Sequence, residues 1–523
     1  MVKAVLDAFK EGQEDENLEP IIACDPSSNP IGRMSNGDFA IFYDIRGERE
    51  VEITRSLTER DFSEFPVKKD TILNFVTMIE YQSDLDAEVA FPPQGRVKNS
   101  LIEVISNAGI PLCKISESEK AVHVGYFMNG RSERVFPGEH RIVVPSPEGI
   151  TLFSEKPEMS IKKVTKEIIS ILEHSKYQIV FANFANADVV GHTEERNAVI
   201  KAVEAVDREL GKVFEYCKNN GITLVATADH GTVEEWLYPD GTINTGHTNN
   251  LVPFVIADFS LEHPQEIKLK SSGELSNIAP TVLHMLDLKS PPEMNAENLV
   301  LSSPKGNKPR KRILLLILDG WGLNESKEGN MIFASNTPHF DHLWNQYPHT
   351  KLRASGEAVG MPAGTVGNSE AGHLHIGAGR RILLDRVRID QSIADGSFFK
   401  NKVFLETMEK VRLKNKPLHL LGIVSHYSSH GTIDYLFSLL KLAKEKGINH
   451  VYIHSLIGRR GEKPESGAIY ISKVEQKCSQ LSIGVLSTIM GRYWALDREE
   501  NWDRVERAYR ALVFGEGRRI SIK

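Results

Sequence analysis

The stretch RILLLILDG, residues 312–320, carries six consecutive apolar residues closed by an acid and a glycine. The run is far too short for a membrane span and reads as a strand buried on both faces, as parallel sheets require. Similar runs occur at residues 177–184, 222–226, 252–257 and 451–454. Between them, residues 161–172 and 197–218 repeat apolar side chains at helical spacing, the second through Val199, Ala202, Val203, Val206, Leu210 and Val213. Residues 275–288 form another helical pattern, with Pro280 expected in its first turn or at a kink. Strands alternating with helices predict an α/β fold with a mainly parallel sheet flanked by helices.

A chain of 523 residues exceeds one ordinary core and implies at least two domains. Hydrophobic residues make up 41% and charged residues 25%, the composition of a globular protein. A net charge of -7 gives no overall basic field for nucleic acid or membranes. Cys24, Cys113, Cys217 and Cys478 form no CxxC pair, and the early acids in MVKAVLDAFKEGQEDE do not fit a leader peptide. Reduced cysteines and a cytoplasmic location are the expectation. LSSPKGNKPRKR, residues 301–312, reads as a solvated linker despite its basic run.

Chemistry gathers where the strands end. Asp188 follows IVFANFANA, Asp229 follows ITLVATA, and Asp319 follows ILLLIL. Sites in open parallel sheets form at that edge. His192 lies four residues after Asp188, one helical turn away; His230 follows Asp229 directly; His247 lies in NTGHTNN. Alone, a D-x-x-x-H is more often a buried histidine with a capping acid than a metal site. Three such segments on one edge indicate a centre for Mn²⁺ or Zn²⁺, with Mg²⁺ at a more oxygen-rich position.

GMPAGTVGNSEAGHLHIGAGR, residues 360–380, surrounds Ser369 with glycines that permit a tight turn and an exposed hydroxyl. Beside a divalent ion this serine is a candidate nucleophile toward phosphorus; without one the loop would be structural. Arg46 and Arg49 in DIRGER, Lys120 and His123 in EKAVH, Arg459 and Arg460, and Arg492 and Arg498 in GRYWALDR supply cations. Singly these are surface charges; together they suit a small, doubly anionic substrate.

These residues, with ILDGWG, NWDRVERAYRAL, EKAVHVGYFMNG, FPGEHR and GHTNN, resemble motifs of the cofactor-independent phosphoglycerate mutases, in the alkaline phosphatase superfamily. The resemblance covers nearly the whole chain. It implies an alkaline-phosphatase-like domain at residues 94–383, which includes the linker. It also implies a smaller α/β substrate-binding domain made from residues 384–523 and 1–93. In that family ILDGWG lies near the N-terminus and GHTNN near the C-terminus, so the order here looks circularly permuted, with new ends after FGEGRR.

Carried over, Asp188, His192 and His247 would hold one Mn²⁺, and Asp319, Ser369, Asp229 and His230 the other, with Mg²⁺, Zn²⁺ or Co²⁺ also compatible. His430, Arg460, Arg492, Arg498, Arg46, Arg49 and Lys120 match substrate-binding positions. The implied reaction interconverts 3-phosphoglycerate and 2-phosphoglycerate through a phosphoserine, without bisphosphoglycerate, in a monomer with no nucleic-acid or membrane partner. Two departures stand out. IGRRG keeps Arg460 but has Gly461 where the family has an Asp of acid/base type, and SHYSSHGT keeps only Ser425 and His430 of a longer motif. They leave open a metal-dependent phosphatase or an impaired pseudoenzyme, with His426 a candidate replacement group.

Overall fold

The computed structural model describes residues 1–522 except 151, 175, 239, 304–311, 427 and 459–465. Most of the expected linker, and Arg459, Arg460 and Gly461, therefore lie outside the described residues. The chain divides into two compact units: Met1–Pro93 with Asp385–Lys523, and Gln94–Leu384.

The Gln94–Leu384 unit is built on an eight-stranded sheet. At its centre the decisive stretch forms the strand Ile313–Leu318, parallel to Ile179–Phe184 on one side and Thr223–Thr227 on the other. All six side chains of Ile313–Leu318 are buried, because helices cover both faces of the sheet. Leu112–Glu117 and Glu139–Val144 extend the parallel set beyond Ile179–Phe184. Val252–Asp258 runs antiparallel to Thr223–Thr227, a reversal that its apolar composition does not disclose.

The expected helices form at Ile161–Glu173 and Arg196–Asn220, the latter closed by Gly221 in the left-handed conformation (φ 63°). Pro280 sits in the first turn of Ile278–Met285, after a 3₁₀ turn at Leu275–Asn277, where its missing N–H costs no helical hydrogen bond.

The other unit also carries an eight-stranded, mainly parallel sheet. Its strands come from both of its segments. Ile21–Cys24 lies between Arg518–Ser521 and Val485–Gly491. Phe39–Phe42 pairs with Leu418–Ile423, which pairs in turn with Val451–Ile457. One buried cluster joins residues of both segments, from Val5 and Phe42 to Leu439 and Leu512.

Among the described residues all four cysteines are free, and no helix is long and apolar enough to cross a membrane.

Leu315 is fully buried in the central strand of its sheet. Replacing it with alanine should cost about 2–5 kcal/mol through lost burial and an unfilled cavity. Urea unfolding monitored by tryptophan fluorescence reads this as a lower midpoint with an unchanged slope.

Candidate metal centre and anion site

Three adjacent parallel strands bring their acids to one edge of the sheet. Ile313–Leu318 leads directly into Asp319, and Thr223–Thr227 leads through Ala228 into Asp229 and His230. Ile179–Phe184 leads into the short helix Asn186–Gly191, which carries Asp188 and ends at His192. Gly320, at φ +77°, lets the chain turn beside Asp188, where a Cβ would stand 2.8 Å from its backbone.

Ser369 opens the helix Ser369–Ala378, whose preceding Asn368 side chain accepts the Ala371 N–H at 2.8 Å. The hydroxyl therefore sits at the positive end of a helix, where an alkoxide or phosphate is favoured. Gly372 presses against Asp229, and any Cβ there would fall 2.5 Å from the Asp229 carbonyl oxygen.

The side chains converge. Lys120 Nζ donates to Asp188 Oδ2 at 2.6 Å, Ser369 Oγ at 2.7 Å and Asp319 Oδ1 at 2.8 Å. His230 Nε2 lies 2.9 Å from Ser369 Oγ, 3.5 Å from Asp229 Oδ2 and 3.6 Å from Asp319 Oδ1. His192 Nε2 and His247 Nε2 face each other at 3.2 Å, and lie 3.3 and 3.4 Å from Asp188 Oδ1.

Asp188, Asp229, Asp319, His230 and Lys120 are all buried. Burial opposes the charge on Lys120, but Asp188, Asp319 and Asp229 outweigh it and hold its pKa above the ordinary lysine value. Burial likewise raises the Asp319 pKa, reinforced by Asp229. For Asp188 burial acts the same way, but Lys120 and His230 win and carry its pKa well below the carboxylate range.

The structure adds groups that sequence reading did not single out. His373, one turn after Ser369, places Nδ1 3.2 Å from Asp229 Oδ2 and Nε2 3.1 Å from Asn183 Nδ2. Asn183 also donates to Asp319 Oδ2 at 2.7 Å. Buried Glu234 ties the loops together, accepting from the Thr232 and Gly322 N–H groups, from Thr248 Oγ1 and from Asn250 Nδ2. A histidine four residues after Ser369 and a lone amide inside an apolar strand were the available signals.

In the other unit, Arg46, Arg49, Arg492, Arg498 and His430 occur among acids. Glu48 joins Arg498 (2.5 Å) to Arg46 (3.4 Å). Arg492 pairs with Glu16 at 2.7 Å, and Arg49 donates to the Leu496 carbonyl at 3.1 Å. Arg46 reaches Ser429 Oγ at 3.2 Å, next to His430. His430 is buried, whereas His426 is exposed.

The sequence pattern of the Metalloenzyme superfamily matches residues 19–290, half of the chain. The chain belongs to the metalloenzyme superfamily. A second pattern, described as the BPG-independent PGAM N-terminus, matches residues 389–522. The 2,3-bisphosphoglycerate-independent phosphoglycerate mutase of Moorella thermoacetica is 49% identical over 209 residues, 40% of this chain and 41% of the relative. That of Clostridium perfringens is 46% identical over 212 residues, with the same coverage. Phosphoglycerate mutase 1 of this type from Methanosarcina barkeri is 37% identical over 299 residues, 57% of this chain and 56% of the relative. The matches thus span between two fifths and just over half of these relatives' length. A crystal structure of Leishmania mexicana phosphoglycerate mutase at low cobalt concentration aligns over 54% of this chain and 53% of that chain, at 28% identity and a TM-score of 0.37.

The donor set of this superfamily member fits divalent ions. His192 Nδ1 lies 2.6 Å from the Thr245 carbonyl and His247 Nδ1 lies 2.8 Å from that of Gly367. A proton on each Nδ1 satisfies those carbonyls and leaves two Nε2 lone pairs facing one another beside a carboxylate, an arrangement that calls for a cation. Three overlapping groups could hold one: Asp188 with His192 and His247, Asp188 with His230 and Asp319, and Asp229 with Asp319 and His373.

Lys120→Met removes the ammonium that offsets these buried carboxylates. Without metal the variant should lose about 3–5 kcal/mol, the usual cost of stranding buried charge. Added Mn²⁺ should then raise its melting temperature more than it raises the parent's. Equal upshifts in a thermal scan would contradict this account of the charge balance.

Proposed function

We propose that the chain is a 2,3-bisphosphoglycerate-independent phosphoglycerate mutase, interconverting 3-phosphoglycerate and 2-phosphoglycerate in glycolysis and gluconeogenesis. The observation that carries the reading is the meeting of Ser369 Oγ with Lys120 Nζ and His230 Nε2, within 2.9 Å, at a helix N-terminus beside buried carboxylates. The named activity of the relatives and the match at residues 389–522 support the same conclusion.

Two divalent ions, Mn²⁺ by preference, would be held by Asp188, His192 and His247 and by Asp319, Ser369, Asp229 and His230. When bound they supply positive charge against the transferring phosphoryl group. Ser369 Oγ attacks phosphorus in line and becomes phosphoserine while glycerate leaves. The glycerate stays bound, reorients, and takes the phosphoryl group back on its other hydroxyl. Lys120 neutralises phosphoryl oxygens. Arg46, Arg49, Arg460, Arg492 and Arg498 bind phosphate and carboxylate, which requires Arg46, Arg492 and Arg498 to exchange Glu48 and Glu16 for the substrate. On this reading Gln94–Leu384 is the phosphatase-like domain and the remainder the substrate-binding domain.

The order of the parts is read as a circular permutation. A pattern named for an N-terminus matches residues 389–522, downstream of the metalloenzyme match at 19–290, and strands from both segments alternate in one sheet. A cytoplasmic monomer is the working form.

The test supplies 3-phosphoglycerate and Mn²⁺ without bisphosphoglycerate and follows both 2-phosphoglycerate and free phosphate. The isomer should form, stop on chelation and return with metal. Ser369→Ala should abolish turnover, by at least about 10⁴-fold, with an unchanged circular dichroism spectrum. Phosphate release in place of isomer would identify a phosphatase. An active alanine variant would remove the nucleophile.

A further inference from the structure

Asn183 is in none of the ligand groups of the metal centre, yet it touches two of their members, Asp319 and His373. It is the fifth residue of the strand Ile179–Phe184 and lies level with Ile317 of the neighbouring strand. Alternation along that neighbour turns Asp319, two residues on, to the same face. The Asp319 N–H donates to the Phe184 carbonyl at 3.1 Å, which extends the strand pairing to the acid itself. Asn183, Asp319 and His373 are each 0% exposed.

One amide nitrogen serves two acceptors. Asn183 Nδ2 donates to Asp319 Oδ2 at 2.7 Å and lies 3.1 Å from His373 Nε2. The flipped amide would set a carbonyl oxygen against a carboxylate oxygen at 2.7 Å, so the nitrogen faces the acid. His373 Nε2 is then an acceptor and the ring proton sits on Nδ1, which is 2.9 Å from the Ser369 carbonyl oxygen and 3.2 Å from Asp229 Oδ2. Both nitrogens of His373 are thereby occupied. The Asn183 carbonyl oxygen is buried and has no hydrogen-bond partner among the described residues. The amide is therefore held for its N–H groups, at a desolvation cost that its oxygen does not recover.

Asp319 presents its two oxygens to different neighbours. Oδ2 faces the Asn183 amide, whereas Oδ1 faces Lys120 Nζ at 2.8 Å, Ser369 Oγ at 3.4 Å and His230 Nε2 at 3.6 Å.

We propose that Asn183 and His373 are positioning residues that make Asp319 a one-oxygen ligand, through Oδ1, and keep the group Asp229–Asp319–His373 from holding an ion of its own. The inference rests on the reading of Asp319 as a metal ligand and deepens it. It also accounts for a histidine one turn after Ser369 that is not a ligand, because neither ring nitrogen has a lone pair to offer. Asp319 Oδ2, the Asn183 amide, the His373 ring and the Ser369 carbonyl form one line of hydrogen bonds from strand to helix, which holds Ser369 and Asp319 at a fixed spacing.

The consequence is selectivity among ions. A carboxylate that binds through one oxygen suits the low coordination number of Zn²⁺. One that binds through both adds a ligand atom, as Ca²⁺ with its larger and more flexible shell prefers.

The experiment measures binding of Zn²⁺, Ca²⁺ and Co²⁺ to the metal-free parent, to Asn183→Leu and to His373→Gln, by competition with a chelating dye, equilibrium dialysis and visible absorption. Asn183→Leu should lose about 10–100-fold in Zn²⁺ affinity, the usual effect of removing a group that orients a ligand. Its Ca²⁺ affinity should stay level or rise. Its Co²⁺ bands should weaken as Oδ2 joins the ion, because these bands fade as the coordination number rises. Asn183→Ala gives the same reading where leucine overpacks the sheet edge. His373→Gln, whose amide oxygen can accept from Asn183 in place of Nε2, should keep the parental number of ions and the parental Co²⁺ spectrum. A parental ratio of Zn²⁺ to Ca²⁺ affinity in Asn183→Leu and Asn183→Ala overturns the proposal, whether both affinities are kept or both fall together. So does loss of one bound equivalent in His373→Gln, which would make the imidazole a ligand. A parent that binds no divalent ion, or binds it no better than Asp319→Asn does, fails the reading of Asp319 itself, a result distinct from an unchanged ratio in a variant whose parent binds.

Discussion

Like charges brought together in a dry interior repel, and everything at the edge of the Gln94–Leu384 sheet follows from that constraint. Three neighbouring parallel strands deliver Asp188, Asp229 and Asp319 to one place, where water is too scarce to screen them. The fold answers with a buried ammonium, with imidazoles whose outer nitrogens are held by carbonyls, and with a helix N-terminus. A place that must contain positive charge to exist is also a place that welcomes a phosphoryl group. On the proposed function structural necessity and chemical use coincide, and the glycines packed against Asp188 and Asp229 show how little room the backbone leaves.

The smaller unit meets a related problem in a different way. Arg46 and Arg498 are partly exposed and share the carboxylate of Glu48, contacts that water screens and that an incoming anion can replace at small cost, while the more buried Arg492 pairs with exposed Glu16. In the same unit burial raises the pKa of Asp44 and of Glu50 well above the carboxylate range, which favours relief of their repulsion by protons. One unit thus gathers fixed cations around its buried acids, whereas burial in the other favours the protonated form of Asp44 and Glu50.

Much of this was legible in the letters. Strand-end acids could be read because a parallel sheet converts sequence order into spatial order: six apolar residues followed by an Asp put that Asp at the edge, whatever the rest of the chain does. His192 followed from one helical turn, and Pro280 from the rule that a first turn tolerates it. Glu50 was not legible, because DIRGERE reads as a solvated charged helix start, and only the long-range contact with His430 turns its third acid inward. Asn183 and His373 were hidden for a similar reason. Each looks like a buried polar residue paired locally, and its partner lies more than 100 residues away. The reversed direction of Val252–Asp258 escaped because burial, not polarity of chain direction, determines which residues a strand contains.

The interleaved sheet of the smaller unit has a consequence for biosynthesis. Strands Ile21–Cys24 and Phe39–Phe42 emerge from the ribosome early, but their partners Val485–Gly491 and Leu418–Ile423 are made only after the whole intervening unit. Until then Ile21–Cys24 lacks both its partners and Phe39–Phe42 has only Asn74–Ile79 beside it, which leaves edges competent to pair with a neighbouring nascent chain. The intervening unit can complete its own sheet meanwhile, so assembly runs from the middle of the message outward. A pause anywhere in the translation of the central unit prolongs that interval by its own length, because the late partners follow all of it.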